Sequence, residues 1–288
     1  MLSAMGDLGQ DTAVEAVSEY EGGGRFTAKL NRDWEIWGPN GGYVASVALR
    51  AAGALSPFRR PASLSCHFLG VAAFDQVDIQ VRHLREAKTA LSQRVEITQQ
   101  GRAILEATVW SIGDLQGLEH DHSATLDPGV PGPEGVADLS DLLTEEEKEQ
   151  GPPYGFWTNF DVKPVRFHRE QPEVLEPVWQ EWIRFSPAPD LSDPWVDACR
   201  SVILVDVQSW PSASSAHRWG HGFIAPSLDL YVGFHDPQPE SEWLLADGFG
   251  PVARDGLMGW NGRLWSQDRH LVATGSGQCL CRPVPQRG

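Results

Sequence analysis

The sequence predicts an α+β fold in which one unit is built twice, and three observations carry that prediction. A long apolar helix is followed by strand-like segments once in each half, in the same order. Short stretches of the two halves also match: "SLSCHF" at 63–68 with "SLDLYV" at 227–232, and "ILEATVWS" at 104–111 with "LVATGSGQ" at 271–278, to within about one residue. Between the halves, residues 113–153 are rich in Pro, Gly and acid and poor in aromatics, the composition of a connector. A repeat this long is no solenoid, so the physical reading is two copies of a long apolar helix, each wrapped by its own antiparallel sheet. The units are 1–115 and 154–288, joined by an acidic Pro/Gly linker at 116–153.

The first helix is "GGYVASVALRAAGAL" at 41–55, which sets Val44, Val47, Ala48, Ala51 and Leu55 on one face with Asn40 as its N-cap. It is apolar almost all round and therefore belongs inside the fold. Strands follow at 63–68, 76–84, 90–99 and 102–111, the last two joined by "QQGR". A short acidic helix is expected at 139–149 within the linker. The second half repeats the order: a helix in "DPWVDACRSVILVDV", then "SLDLYV", then strands near 242–247, 256–266 and 270–281, with "QDRH" joining the last two.

The strand in "PSLDLYVGFH" alternates, with Leu228, Leu230, Val232 and Phe234 on one face. Its other face carries Ser227, Asp229, Tyr231, Gly233 and His235, and taken alone that face reads as solvent-facing.

Charge and cysteine usage narrow the function classes. With 23 Lys and Arg against 39 Asp and Glu, the net charge of −16 repels phosphate backbones and anionic bilayers, so nucleic acid and membranes are not expected partners. A few local cations or helix amides still suffice for a small anionic ligand such as coenzyme A. The four cysteines, Cys66, Cys199, Cys279 and Cys281, form neither a C-x-x-C pair nor a regular framework, which argues for reduced thiols rather than zinc or disulfides. The amino-terminal stretch has no basic segment followed by an apolar core, and no apolar run nears the ~18 residues of a membrane span. A cytoplasmic protein is expected.

Several motifs fall short of a site. His120 and His122 stand in H-x-H spacing within the linker, with no third metal ligand in view. "EGGGRF" lacks the lysine and spacing of a phosphate loop, and no G-x-S-x-G elbow offers a serine nucleophile. The twelve tryptophans read as core and interface residues.

The motifs "FDVKPVRFHRE", "PVWQEWIRF", "PSLDLYVGFH", "EWLL" and "LVATGSGQCLCR", preceded by "GPNGGYVASVAL" and "SLSCHFL", together resemble the bacterial type II acyl-CoA thioesterases and their thioesterase-like relatives over nearly the whole chain. That resemblance implies a double hot-dog fold, a site between the halves, and hydrolysis of acyl-CoA to free acid and coenzyme A without metal or organic cofactor. It assigns catalysis to Asp229 and Gln278, the carboxylate as acceptor of a water's proton and the amide as that water's second partner. The hydroxyl residue that the family carries after "EWLL" has no counterpart, since Pro251 or Val252 stands there, and Ser65 replaces a histidine of some members. Oxyanion donors are expected from the amides of Gly41 and Gly42, where the first helix opens. A non-catalytic acyl or acyl-CoA binding protein on the same scaffold is the alternative; a third reading is an aromatic-rich β protein that recognises a partner surface. Because the halves satisfy each other as a pseudo-dimer, both a monomer and a homo-oligomer fit.

Overall fold

The computed structural model describes residues 5–120 and 126–284. Its first half comprises α1 (Leu8–Asp11), β1 (Glu15–Tyr20), β2 (Gly23–Lys29), α2 (Gly41–Ala54), β3 (Arg60–Phe68), β4 (Gln76–Glu86), β5 (Ala90–Gln99) and β6 (Arg102–Ile112). Two short helices, α3 (Leu139–Leu142) and α4 (Glu145–Gln150), stand where one acidic helix is expected, because the chain leaves helical geometry at Leu143 and restarts on a Thr144–Glu147 capping box. The second half adds β7 (Phe160–Pro164), β8 (Val178–Phe185), α5 (Pro194–Asp206), α6 (Ser209–Ser214), β9 (Phe223–Ile224), β10 (Asp229–Phe234), β11 (Leu244–Arg254), β12 (Leu257–Ser266), β13 (Leu271–Leu280) and β14 (Arg282–Pro283).

Twelve strands form one antiparallel sheet in the order β1-β2-β4-β5-β6-β3-β10-β13-β12-β11-β8-β7. Read outward from the centre, β3-β6-β5-β4-β2 and β10-β13-β12-β11-β8 are the same arrangement, which is the internal repeat seen as topology. The two half-sheets are thus continuous rather than separate. Antiparallel pairing of β3 with β10, from Ser63↔Gly233 to His67↔Asp229, joins them. Two hairpins, β5–β6 at Gln100-Gly101 and β11–β12 at Asp255-Gly256, turn through paired positive φ values, the type I′ geometry that matches strand twist.

Both long helices lie on one face of this sheet and pack on each other. Asn40 caps α2 by accepting the Tyr43 N–H at 2.9 Å, and Asp193 caps α5 by accepting that of Trp195 at 2.9 Å. Their crossing is close because Gly42 has no side chain: a Cβ there would stand 2.8 Å from the Cα of Ile203. The inward strand residues Leu64, Val95, Val109, Leu230, Val232 and Leu264 bury against the pair.

The residues between the halves are not wholly detached. Leu126 and Val130 bury with Trp182, Trp243, Leu245 and Trp265 in a small second cluster, and Arg269 holds the carbonyls of Leu126, Asp127 and Val130. Aromatic side chains make this segment adhere in spite of its composition. His120 is exposed, whereas His122 lies outside the described residues. Among the described residues no cluster of ligating side chains is arranged to hold a metal, and no helix is long and apolar enough to cross a membrane.

Candidate active site

The amino end of α2 sits where the two halves meet. Trp34, stacked on Tyr43 and packed edge-on against Phe156 and Phe160 of the second half, anchors the turn that leads into the helix. A helix start leaves amide hydrogens without intrahelical acceptors, so each needs an account. Tyr43 donates to the Asn40 side chain and Val44 to the Asn40 carbonyl. Gly42 donates to Oδ2 of Asp206 at 2.8 Å. The Gly41 amide has no acceptor among the described residues.

Asp206, the last residue of α5, is only 4% exposed. Besides Gly42 it accepts from Asn40 Nδ2 at 3.3 Å, and its other oxygen accepts from Ser227 Oγ at 3.2 Å. Burial raises its pKa above the ordinary aspartate value, and the bonds from Gly42, Ser227 and Asn40 oppose that rise. The positive end of the α2 dipole favours the carboxylate here.

Beside this junction lies a cleft of about 360 Å³. Phe68, Ile104, Trp157 and Trp210 supply much of its apolar wall; Gly41, Asp206 and Ser227 give it a polar end, and Arg282 of β14 contributes a cation. Of the residues expected from the sequence, Gly41 lines the cleft, and the Gly42 amide is already committed to Asp206.

Asp229, at the start of β10, and Gln278, in β13, are brought together beyond the cleft lining. Ser227 bridges Cys279, whereas Tyr231 pairs with Ser276, so β10 carries one extra residue between those points. At this bulge Oδ1 of the half-buried Asp229 accepts the backbone N–H of Gln278 at 3.0 Å. The cleft wall ends at Ser227, and neither Asp229 nor Gln278 lines it. Val252 lies opposite Gly259, and Gly259 opposite Gln278, so two strand spacings, roughly 9.6 Å, separate Val252 from Gln278.

The thiols of Cys66 and Cys279 near this junction are buried. Burial, reinforced by the charges of Asp206 and Asp229, raises Cys66 well above its usual range, and burial pushes Cys279 up to about 12. Asp206 stands outside the motifs that the sequence singles out. Its signal was the run "VILVDV", in which a carboxylate ends an apolar stretch and so demands buried partners.

Two antiparallel half-sheets joined edge to edge, each covering a long helix, with a cleft at their seam, define a double hot-dog protein. The chain belongs to the acyl-CoA thioesterase family: the model of the acyl-CoA thioesterase N-terminal domain matches residues 30–112 and that of the C-terminal domain residues 133–280. It is similar in structure to a tesB protein of Mycobacterium avium subs paratuberculosis, with 23% identity, TM-score 0.76, and 98% of this chain and 100% of that one covered. Acyl-CoA thioesterase II TesB2 of Mycobacterium marinum gives 22% identity and TM-score 0.73 over 97% of this chain and 99% of that one. A hot-dog protein of unknown function from Alicyclobacillus acidocaldarius gives 20% and 0.75 over 96% and 98%. At these identities the likeness is one of fold. No curated relative matches the sequence.

Proposed function

We propose that this protein hydrolyses acyl-CoA thioesters to free acid and coenzyme A by direct attack of water. The observation that carries the reading is the free Gly41 amide at the polar end of an apolar cleft, in a chain of the acyl-CoA thioesterase family. The apolar wall takes the acyl group. The thioester carbonyl accepts from Gly41, whose N–H and helix dipole stabilise the negative charge that develops on oxygen. Asp229 takes the proton of the attacking water, Gln278 holds that water, and the coenzyme A thiolate leaves. No acyl-enzyme forms in this scheme. Arg282 offers a cation to the phosphates of the leaving group in a protein whose overall field repels them. The reading carries a cytoplasmic setting, which the free thiols of Cys66, Cys199 and Cys279 support.

A second reading, a non-catalytic acyl or acyl-CoA carrier, is favoured by one observation: Asp229 and Gln278 stand outside the cleft lining. Release of free thiol from a panel of acyl-CoA esters, run beside calorimetric binding of the same esters, separates the two. Hydrolysis predicts thiol release above the uncatalysed rate for at least one ester; binding with no release on any ester leaves the carrier.

A further inference from the structure

The cleft wall continues outward through Trp210 of α6 into the loop that follows that helix. His221 stands edge-on to Trp210, with ring centroids 5.2 Å apart, and in turn meets the rings of His217 and Phe223, each at 6.2 Å. The loop is pinned at several points. Nδ1 of His221 accepts the Phe223 N–H at 3.2 Å, which leaves Nε2 to donate to Ser214 Oγ at 3.1 Å. The Trp219 N–H donates to Gln171 Oε1 at 2.6 Å, and the Val284 N–H to the Gly222 carbonyl at 2.9 Å. Pairing of β9 with β14 then sets Arg282 opposite Ile224, the residue after Phe223, so a cation and an aromatic ring share the edge of the cleft.

Two features of this rim have no use within the fold. Trp219 and Phe223 are 55% and 43% exposed, although both are large and apolar. Arg218 and Arg282 are exposed too, and neither has an ion-pair or hydrogen-bond partner among the described residues. Uncommitted guanidinium groups make a local positive field even where the net charge is −16, because screening confines distant charges to about 10 Å. Planar cations beside flat apolar rings match a ligand that carries both phosphates and a base.

We propose that Arg218, Trp219, Phe223 and Arg282 form a nucleotide subsite, in which the guanidinium groups hold the phosphates of coenzyme A and an aromatic ring stacks on its adenine. It rests on the acyl-CoA reading above. The nucleotide end is unchanged during thioester hydrolysis, so its contacts count equally in ground and transition states, and their loss raises KM while sparing kcat.

The test compares wild type with Arg218→Gln, Arg282→Gln and Phe223→Ala in the full chain. The substrates are the acyl-CoA of the panel that is turned over fastest and the S-acyl-pantetheine with the same acyl group, which lacks the phosphates and the nucleotide. Each variant should raise KM for the acyl-CoA on the order of 10-fold with kcat little changed. The preference for acyl-CoA over the pantetheine ester, read as the ratio of their kcat/KM values, should fall by the same factor. A preference that is absent in wild type or unchanged in the variants overturns the subsite. So does a loss that falls on both esters alike, since that marks a change in the cleft itself. A wild type that turns over no acyl-CoA overturns the hydrolytic reading; calorimetry with free coenzyme A and with pantetheine then reads the rim separately. Tighter binding of coenzyme A, weakened by that factor in Arg282→Gln, supports the subsite, and equal binding of the two overturns it.

Discussion

The side-chain oxygen Oδ1 of Asp229 accepts the backbone N–H of Gln278 at 3.0 Å, across the bulge that separates the Tyr231 and Ser227 registers. The second oxygen, Oδ2, has no donor among the described residues. One half of the carboxylate is thus structural while the other half is left for a solvent proton donor.

Asp229→Asn isolates that second oxygen. The amide oxygen of Asn can still accept from Gln278, so the fold and acyl-CoA binding should survive. Turnover should fall by ~10²–10⁴-fold, the usual contribution of a general base. Steady-state thiol release beside binding calorimetry checks this, and an unaltered rate returns Asp229 to its structural bond alone.

Gly42→Ala tests the close crossing of α2 and α5. Alanine is the better helix former, yet its Cβ would meet the Cα of Ile203 at 2.8 Å and the carbonyl of Val202 at 3.0 Å. Backbone cannot swing aside as a side chain does, so overpacking should cost about 1–3 kcal/mol. Urea unfolding followed by tryptophan fluorescence should show the midpoint drop; a midpoint at or above wild type would mean that the helices part freely.

Thiol chemistry should discriminate among the four cysteines. Cys66, Cys199 and Cys279 are buried, and burial pushes both Cys199 and Cys279 up to about 12. Cys281 is partly exposed. Alkylation of the native protein near neutral pH should therefore label Cys281 first and leave acyl-CoA turnover intact, with all four modified after unfolding. Rapid labelling of Cys279, read by peptide mass, would show that the junction opens in solution.

Glu181 should give stability a pH dependence. Burial lifts its carboxyl to about 8, opposed by a hydrogen bond from Trp179. A carboxyl raised on folding is protonated in the folded chain and ionised in the unfolded one between those two pKa values. Its stabilising contribution is complete below the unfolded value, near 4.5, and is lost as pH rises through the folded value, about 8. Glu181→Gln should accordingly raise the thermal midpoint, relative to wild type, more at about pH 9 than at about pH 5. Parallel midpoint curves for the two proteins would place the titration elsewhere.

Much of the fold is legible from local pattern. Helix α2 starts at Gly41, as Asn40 and the apolar spacing predict, and the strands at 90–99 and 102–112 flank the turn that "QQGR" marks. The repeat is visible because two copies of one unit must bury the same faces. Less legible is whether the half-sheets stay apart: the β3–β10 pairing depends on two edges more than 150 residues apart in sequence finding a common register, here Asp229↔His67 and its neighbours. The adherence of residues 126–130 is hidden for a similar reason, since its partners Trp182 and Trp265 belong to the other face of the second half-sheet.

The site divides along the same line. By itself the sequence determined the helix start at Gly41 and the alternation that turns Asp229 away from Leu230 and Val232, because these are set by caps and period within a few residues. Tertiary structure alone decided that Asp206 takes the Gly42 amide and that the cleft wall ends at Ser227, because both depend on where α5 ends relative to α2. A buried carboxylate must find its hydrogen-bond donors in space, and no spacing along the chain says which half of the molecule will supply them.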